Sequence, residues 1–251
     1  DTGFYRVTQF PSEIQIGQLP YGEQCISSKE IIRAAGRQVQ FFGLPVDLVL
    51  SPDGTTVYIK NHTNMWVVDA ASWTLVQSLG YPASGASMHG IDVSPDGSHV
   101  YVTSSANQLY DWKVAGGMVS YSRTISLASG SDPCGLAISA DGTKAYVCLS
   151  IANKLAVVNL TSGTVGQQIS VGIAPWDVVL SPDGNTAYVS DWGGRYPISG
   201  DLTMTSAGTA VVVDARGVPT SGVVSVVNLT SGAETAQVAT GLHPSDLVLS
   251  P

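Results

Sequence analysis

Eight residues have side chains suited to holding a ligand and fall where the chain would bring them together: Asp47, His89, Trp176, Asp177, Trp192, Arg195, His243 and Asp246. Aligning the sequence on a recurring serine (Ser51, Ser94, Ser139, Ser181, Ser250) gives a column of Asp47, Gly90, Gly135, Asp177 and Asp246, preceded by Val46, His89, Cys134, Trp176 and Ser245. Carboxylates and an imidazole at such a column form a polar ring, and loops over a rigid scaffold are where ligand sites concentrate. Asp47, His89, Trp176, Asp177, His243 and Asp246 would line the pocket, with Trp192 and Arg195 above it. A plainer reading competes: Asp readily satisfies backbone N–H groups nearby, and each of these carboxylates could do only that. Trp176 and Trp192 read first as packing residues. Arg195, flanked by Gly193 and Gly194, reads as an exposed residue holding either an anionic ligand or an adjoining domain.

Enzyme signatures are missing. The stretch Gly85-Ala86-Ser87-Met88-His89-Gly90 is one residue too long for a G-x-S-x-G elbow and reads as a loop between repeats. The histidines His62, His89, His99 and His243 show no H-E-x-x-H and no carboxylate at metal-ligand spacing, so no metal site is expected. No P-loop or G-x-G-x-x-G is present, and no cofactor is expected either. Three Asn-x-Thr sequons, at Asn61, Asn159 and Asn228, read as incidental to turns.

The elements that position these residues follow from composition and repeats. Of the 251 residues only 12% are charged, the net charge is −8 and the sequence pI is about 4.7. An acidic chain without a Lys/Arg run is a poor phosphate binder, which excludes the usual nucleic-acid proteins. Hydrophobic content of 44% supports a folded core, and no run of about 20 apolar residues predicts a membrane span. Fifteen Asp against four Glu favours turns over helices.

Ser51-Pro52-Asp53-Gly54 recurs as Ser94-Pro95-Asp96-Gly97, Ser139-Ala140-Asp141-Gly142 and Ser181-Pro182-Asp183-Gly184, spaced 43, 45 and 42 residues apart. That period is a propeller blade's rather than a helical repeat's. Before each turn runs a short apolar strand such as Val178-Val179-Leu180, and after it a β-branched and aromatic one such as Ala187-Tyr188-Val189. Third strands (Met65–Val68, Leu109–Trp112, Leu155–Val158, Val223–Val227) and more polar fourth strands (Leu75–Leu79, Gln167–Val171, Ala236–Ala239) complete four antiparallel strands per unit.

At these residues the chain resembles the YVTN-type β-propeller repeat, over residues 35 to 251. The insertion Ser190-Asp191-Trp192-Gly193-Gly194-Arg195 through Val211-Val212-Val213-Asp214, with Ala35-Gly36-Arg37-Gln38-Val39, is similar to the propeller half of bacterial proteins whose propeller precedes a phosphoesterase domain of the alkaline-phosphatase superfamily. The resemblance implies a ring of about seven blades, a secreted, periplasmic or cell-surface location, and a phosphoesterase partner domain whose catalytic residues are not in this sequence.

The expected architecture is therefore all-β: a β-propeller of four-stranded antiparallel blades, with four full blades starting near residues 45, 88, 133 and 175 and a fifth inner strand at 245–250. Residues 1–42 would pack on or close the propeller through strands at Phe4–Phe10 and Gln38–Phe42, residues 43–251 would form the blades, and 191–217 a long insertion. A truncated fifth blade leaves an open edge, so another segment, a lost piece or a second copy would complete the ring. Cys134 and Cys148 lie symmetrically about the Asp141 turn and are a disulfide candidate, with two buried thiols as the alternative. The function that fits is a non-catalytic binding or docking module. A propeller hydrolase of the lactonase or phosphoesterase type acting on a small ester, and a structural surface-layer or adhesion repeat, are the alternatives.

Overall fold

The structure, a computed structural model, describes residues 17–18, 24–25, 31–32, 36–83 and 85–250. The chain divides into two units, Asp1–Phe42 and Gly43–Pro251. In the first, β1 (Gly17–Gln18), β2 (Gln24–Cys25) and β3 (Ile31–Ile32) form a small antiparallel sheet in that order. The strand expected at Phe4–Phe10 lies outside the described residues. Gln38–Phe42 is irregular rather than a strand, since an alternating pattern makes a strand only where a ladder pairs its backbone.

The second unit repeats one sheet four times. Blade one is β4 (Pro45–Leu50), β5 (Thr56–Asn61), β6 (Asn64–Asp69) and β7 (Thr74–Gly80); blade two is β8 (Ala86–Val93), β9 (His99–Ser104), β10 (Gln108–Ala115) and β11 (Met118–Ser126). Blade three is β12 (Pro133–Ile138), β13 (Lys144–Leu149), β14 (Lys154–Asn159) and β15 (Thr164–Ser170). Blade four runs β16 (Ile173–Leu180) and β17 (Thr186–Gly194), then an inserted ribbon of β18 (Thr203–Ser206) and β19 (Thr209–Val212), then β20 (Gly222–Asn228) and β21 (Ala233–Thr240). Strand order in every blade is sequential and antiparallel apart from that ribbon. No helix occurs among the described residues. The fold is a β-propeller of four-stranded antiparallel blades.

Each first turn is built alike. Ser51 Oγ donates to Asp53 Oδ1 (2.6 Å), Thr55 N donates to the same oxygen (3.0 Å), and Thr56 N donates to Ser51 Oγ (2.9 Å). Gly54 takes φ +72°, which side chains rarely adopt. The same serine and aspartate roles recur at Ser94/Asp96, Ser139/Asp141 and Ser181/Asp183, and these hydrogen bonds hold the last three carboxyls down to about 2.

Apolar side chains between adjacent blades make the cores. Because successive strand residues point to opposite faces, Val100 and Val102 pack with Tyr58, Met65 and Val67 of blade one, while Tyr101 packs with Leu136, Val147 and Val158 of blade three. Fully burying a Val or Leu contributes about 1.5–3 kcal/mol, so these seams are what hold the unit together.

Three expectations are corrected. Residues 241–250 form no strand; an inner strand gains its ladder from strand two of its own blade, and no described strand pairs with these residues in that way. Gly85–Gly90 is not an inter-repeat loop, because Ala86 onward belongs to β8. The Cys134–Cys148 bridge does not form: both are free and buried in one apolar core. The hairpin sets Leu136 opposite Val147 and Pro133 opposite Leu149, so a bulge puts Cys134 and Gly135 together against Cys148 and the two cysteines are not a register pair.

Candidate functional site at the channel mouth

The site begins with a wide bulge. On β8 Ala86 faces Ser104 and Ile91 faces Val102, so four residues, Ser87 to Gly90, oppose Thr103 alone. That excess pushes His89 out of the ladder. A buried lysine secures the bulge: Lys60 Nζ lies 2.8 Å from Ser87 Oγ, 2.6 Å from the His89 carbonyl, 3.2 Å from the Gly90 carbonyl and 3.0 Å from Thr103 Oγ1. All four are neutral acceptors. Burial pulls the Lys60 pKa down to about 7, although Asp47, Cys134 and Asp132 favour its charge. Gly90 is needed here, since its φ is +105° and a Cβ would stand 2.1 Å from the Cys134 carbonyl.

So placed, the His89 ring lies between carboxylates of two other blades. Its Nδ1 is 3.1 Å from Asp47 Oδ2 and its Nε2 is 3.1 Å from Asp177 Oδ1, with Asp246 Oδ1 4.0 Å from the same nitrogen. Burial works against the charged ring, but the Asp177 hydrogen bond and the fields of Asp47, Asp177 and Asp246 outweigh it and hold the His89 pKa above its ordinary value. Trp176 stacks on His89 (centroids 6.1 Å, planes 7° apart), Trp192 lies against Trp176 (5.5 Å), and His243 against Trp192 (4.5 Å).

The carboxylates also join blades, and always forward. Asp47 Oδ1 accepts its neighbour Leu48 N (2.8 Å), while Oδ2 accepts Gly90 N (2.8 Å) and Ile91 N (3.1 Å) of blade two. Asp92 repeats the arrangement toward blade three, accepting Val93 N and Ile138 N; burial raises its pKa to about 6. Asp177 Oδ2 accepts Leu247 N (2.9 Å), and Ser190 Oγ donates to the Ser245 carbonyl, so residues 245–247 run where a fifth inner strand would. The plainer reading of the column is thus fulfilled at Asp47 and Asp177, while their remaining capacity faces His89.

Around this cluster opens a cavity of about 550 Å³, lined by Asp47, His89, Asp92, Asp177 and Asp246 with Ile91, Leu136 and Val178, and by no lysine or arginine. Beside it a second cavity of about 320 Å³ lies under the insertion, walled by Trp176, Trp192, His243, Ile173, Val211 and Pro219. Seven of the eight expected residues therefore gather at these two cavities. Arg195 does not: it makes a bidentate pair with Asp201 (2.6 and 3.0 Å) and so braces the insertion it sits in. A third cavity, about 490 Å³ at the turn end of blades two and three, is lined by Asp96, Asp141 and Arg123, which are engaged in turns and ion pairs. Sequence reading missed Lys60, Ser87, Thr103 and Asp92. Lys60 alone carried a signal, being a charged residue in the column otherwise held by Thr103, Cys148 and Ser190.

No protein-family model matches the sequence, and no curated protein matches it. Solved structures do resemble it. Hydrazine synthase of Kuenenia stuttgartiensis superposes with a TM-score of 0.62 at 20% identity, over 83% of this chain and 53% of that one. A Bacteroides fragilis protein described as a candidate 6-phosphogluconolactonase gives 0.59 at 17% identity, over 82% and 60%. A Desulfotomaculum acetoxidans protein of unknown function gives 0.52 at 17% identity, over 89% and 82%. The chain thus spans about half of the hydrazine synthase chain it matches. Identities this low establish a shared fold and leave function to the site.

Proposed function

We propose that this propeller is a ligand-binding and docking module that takes its ligand at the channel mouth. One observation carries the reading: Asp47, His89, Asp177 and Asp246, from three blades and the segment beyond the fourth, converge on one cavity. Carboxylates without a lysine or arginine among the lining residues favour cationic or neutral hydroxylated ligands over phosphorylated ones. A thermal-shift panel of spermidine, choline, glucose and glucose 6-phosphate tests this. Stabilisation by an amine or by glucose, lost in Asp177→Asn, supports it; preference for the phosphorylated sugar overturns it.

The module works, in this reading, as one YVTN-type part of a larger secreted bacterial protein with a phosphoesterase domain, and further blades complete a ring of about seven. Supporting completion, Leu48 on β4 is 63% exposed whereas its equivalents Ile91, Leu136 and Val178 are 6%, 6% and 2% exposed under the preceding blade. Intact mass and light scattering that show a cooperative monomer of 26.1 kDa would sink the open ring.

A hydrolase is the second reading, favoured by Ser87 Oγ standing 2.8 Å from Lys60 Nζ, a spacing suited to a Ser–Lys pair. Against it, Ser87 is buried and also lies 2.9 Å from the His89 carbonyl. Turnover in a lactone and ester panel, abolished by Ser87→Ala, would establish it.

A further inference from the structure

We propose that the channel mouth binds a first-row divalent cation through His89 Nε2, Asp177 Oδ1 and Asp246 Oδ1, with Asp47 as the positioning residue behind the histidine. This deepens the ligand-site reading and rests on it. The three donor atoms lie within 4.8 Å of one another, Nε2 standing 3.1 Å from Asp177 Oδ1 and 4.0 Å from Asp246 Oδ1. Ligands about 2.1 Å from an octahedral ion stand about 3 Å apart when adjacent and about 4.2 Å when opposite, so the donors need only small side-chain rotations to close on it.

The surroundings divide the work between oxygens. Asp47 is fixed by the backbone of two blades, through Leu48 N, Gly90 N and Ile91 N, and its Oδ2 meets His89 Nδ1 at 3.1 Å. A carboxylate on the far nitrogen sets the tautomer and aim of a metal-binding imidazole. Asp177 uses Oδ2 on Leu247 N and leaves Oδ1 toward the histidine. Asp246 has a 77% exposed side chain and, among the described residues, no partner but His89. The remaining coordination positions face the cavity, where water or a ligand group would complete the shell. One imidazole nitrogen with two carboxylate oxygens suits Mn²⁺, Co²⁺ or Zn²⁺ better than Ca²⁺ or Mg²⁺. No spacing motif announces the site, because its ligands sit at positions 89, 177 and 246 and meet only through the ring of blades.

The test is calorimetric titration of chelator-treated protein with Zn²⁺, Mn²⁺ and Ca²⁺, together with the visible absorption of bound Co²⁺. One Zn²⁺ per chain is expected, weakened at least about tenfold in Asp246→Asn, whose exposed position leaves folding intact, and about 10- to 100-fold in Asp47→Asn. His89→Gln is expected to abolish the Co²⁺ band. Absence of binding overturns the proposal and leaves His89 as an imidazole clamped by carboxylates; binding unchanged in Asp246→Asn and His89→Gln overturns it by putting the ion elsewhere. Preference for Ca²⁺ overturns the assignment of nitrogen as a donor. Amine or sugar binding in protein that takes up no cation would keep the ligand-site reading while removing the ion.

Discussion

His89 Nε2 of blade two and Asp177 Oδ1 of blade four lie 3.1 Å apart although 88 residues separate them. The contact passes over blade three, where Gly135 stands at the position equivalent to Asp177. A side chain there would collide with the next blade, since a Cβ would stand 2.6 Å from the Trp176 carbonyl. Glycine at one position of the column thus makes room for a histidine and an aspartate from its neighbours to meet.

Asp177→Ala removes the His89 partner and the Leu247 N–H acceptor together. Hydrogen bonds to charged groups contribute about 1.5–3 kcal/mol each when buried, so urea unfolding should show a loss of about 2–4 kcal/mol. Asp246→Asn, at an exposed site, should stay within about 0.5 kcal/mol of the parent. Equal losses in the two variants would contradict the division of roles.

Lys60→Met keeps the length of the side chain and removes the ammonium contacts to four groups of the bulge. The Ser87 and Thr103 hydroxyls still donate to the His89 carbonyl, and Thr103 to that of Gly90, but an apolar methyl replaces the ammonium beside these buried hydroxyls, and a loss of about 2–4 kcal/mol is expected. The bulge should also loosen. Near-ultraviolet circular dichroism should report this as a weakened Trp176 signal, since that ring stacks on His89.

A third buried group sets a pH dependence. Ser225 Oγ lies 2.6 Å from Asp191 Oδ2 and 2.5 Å from Glu234 Oε1, and already accepts Gly172 N. A hydroxyl has one proton to give, so two ionised carboxylates around it would leave one contact unbridged; a proton on Asp191 resolves this. Burial first, with the Glu234 charge adding to it, raises Asp191 from 3.8 to about 8. The folded state therefore holds a proton that the unfolded chain releases, and stability falls as pH climbs from about 4 to about 8. In Asp191→Asn that decline should flatten by about 1 kcal/mol per pH unit, read by urea unfolding at pH 5, 6.5 and 8.

Cys134 and Cys148 should resist a thiol reagent in the native protein. Both are buried, and burial pushes the Cys134 thiol up to about 12 and Cys148 well above its usual value, so almost no thiolate exists at neutral pH. In denaturant without reductant both should react. Recovery of neither would restore the disulfide.

Much of the fold was readable because its signals are local and repeated. Ser-Pro-Asp-Gly marks each turn with its own hydrogen bonds, and the apolar runs beside it have no alternative to burial. The same periodicity aligned the column that brought Asp47, Asp177 and Asp246 to one end of the blades. What escaped depends on counts across a ladder. The bulge that delivers His89 exists only relative to its partner strand, where Ala86 faces Ser104 and Ile91 faces Val102. Cys134 failed as a disulfide partner for the same reason, through one residue of slip. The Arg195–Asp201 pair lies in the insertion, where no repeat offers a register to read.

The forward reach of the aspartates bears on how such a ring is made. Asp47 grips Ile91, Asp92 grips Ile138 and Asp177 grips Leu247, in each case the segment synthesised next. A nascent chain leaving the ribosome can therefore latch each new blade onto one already formed. A repeat of this kind carries its own clasp, so a duplicated blade would arrive in the genome with the means of holding its successor.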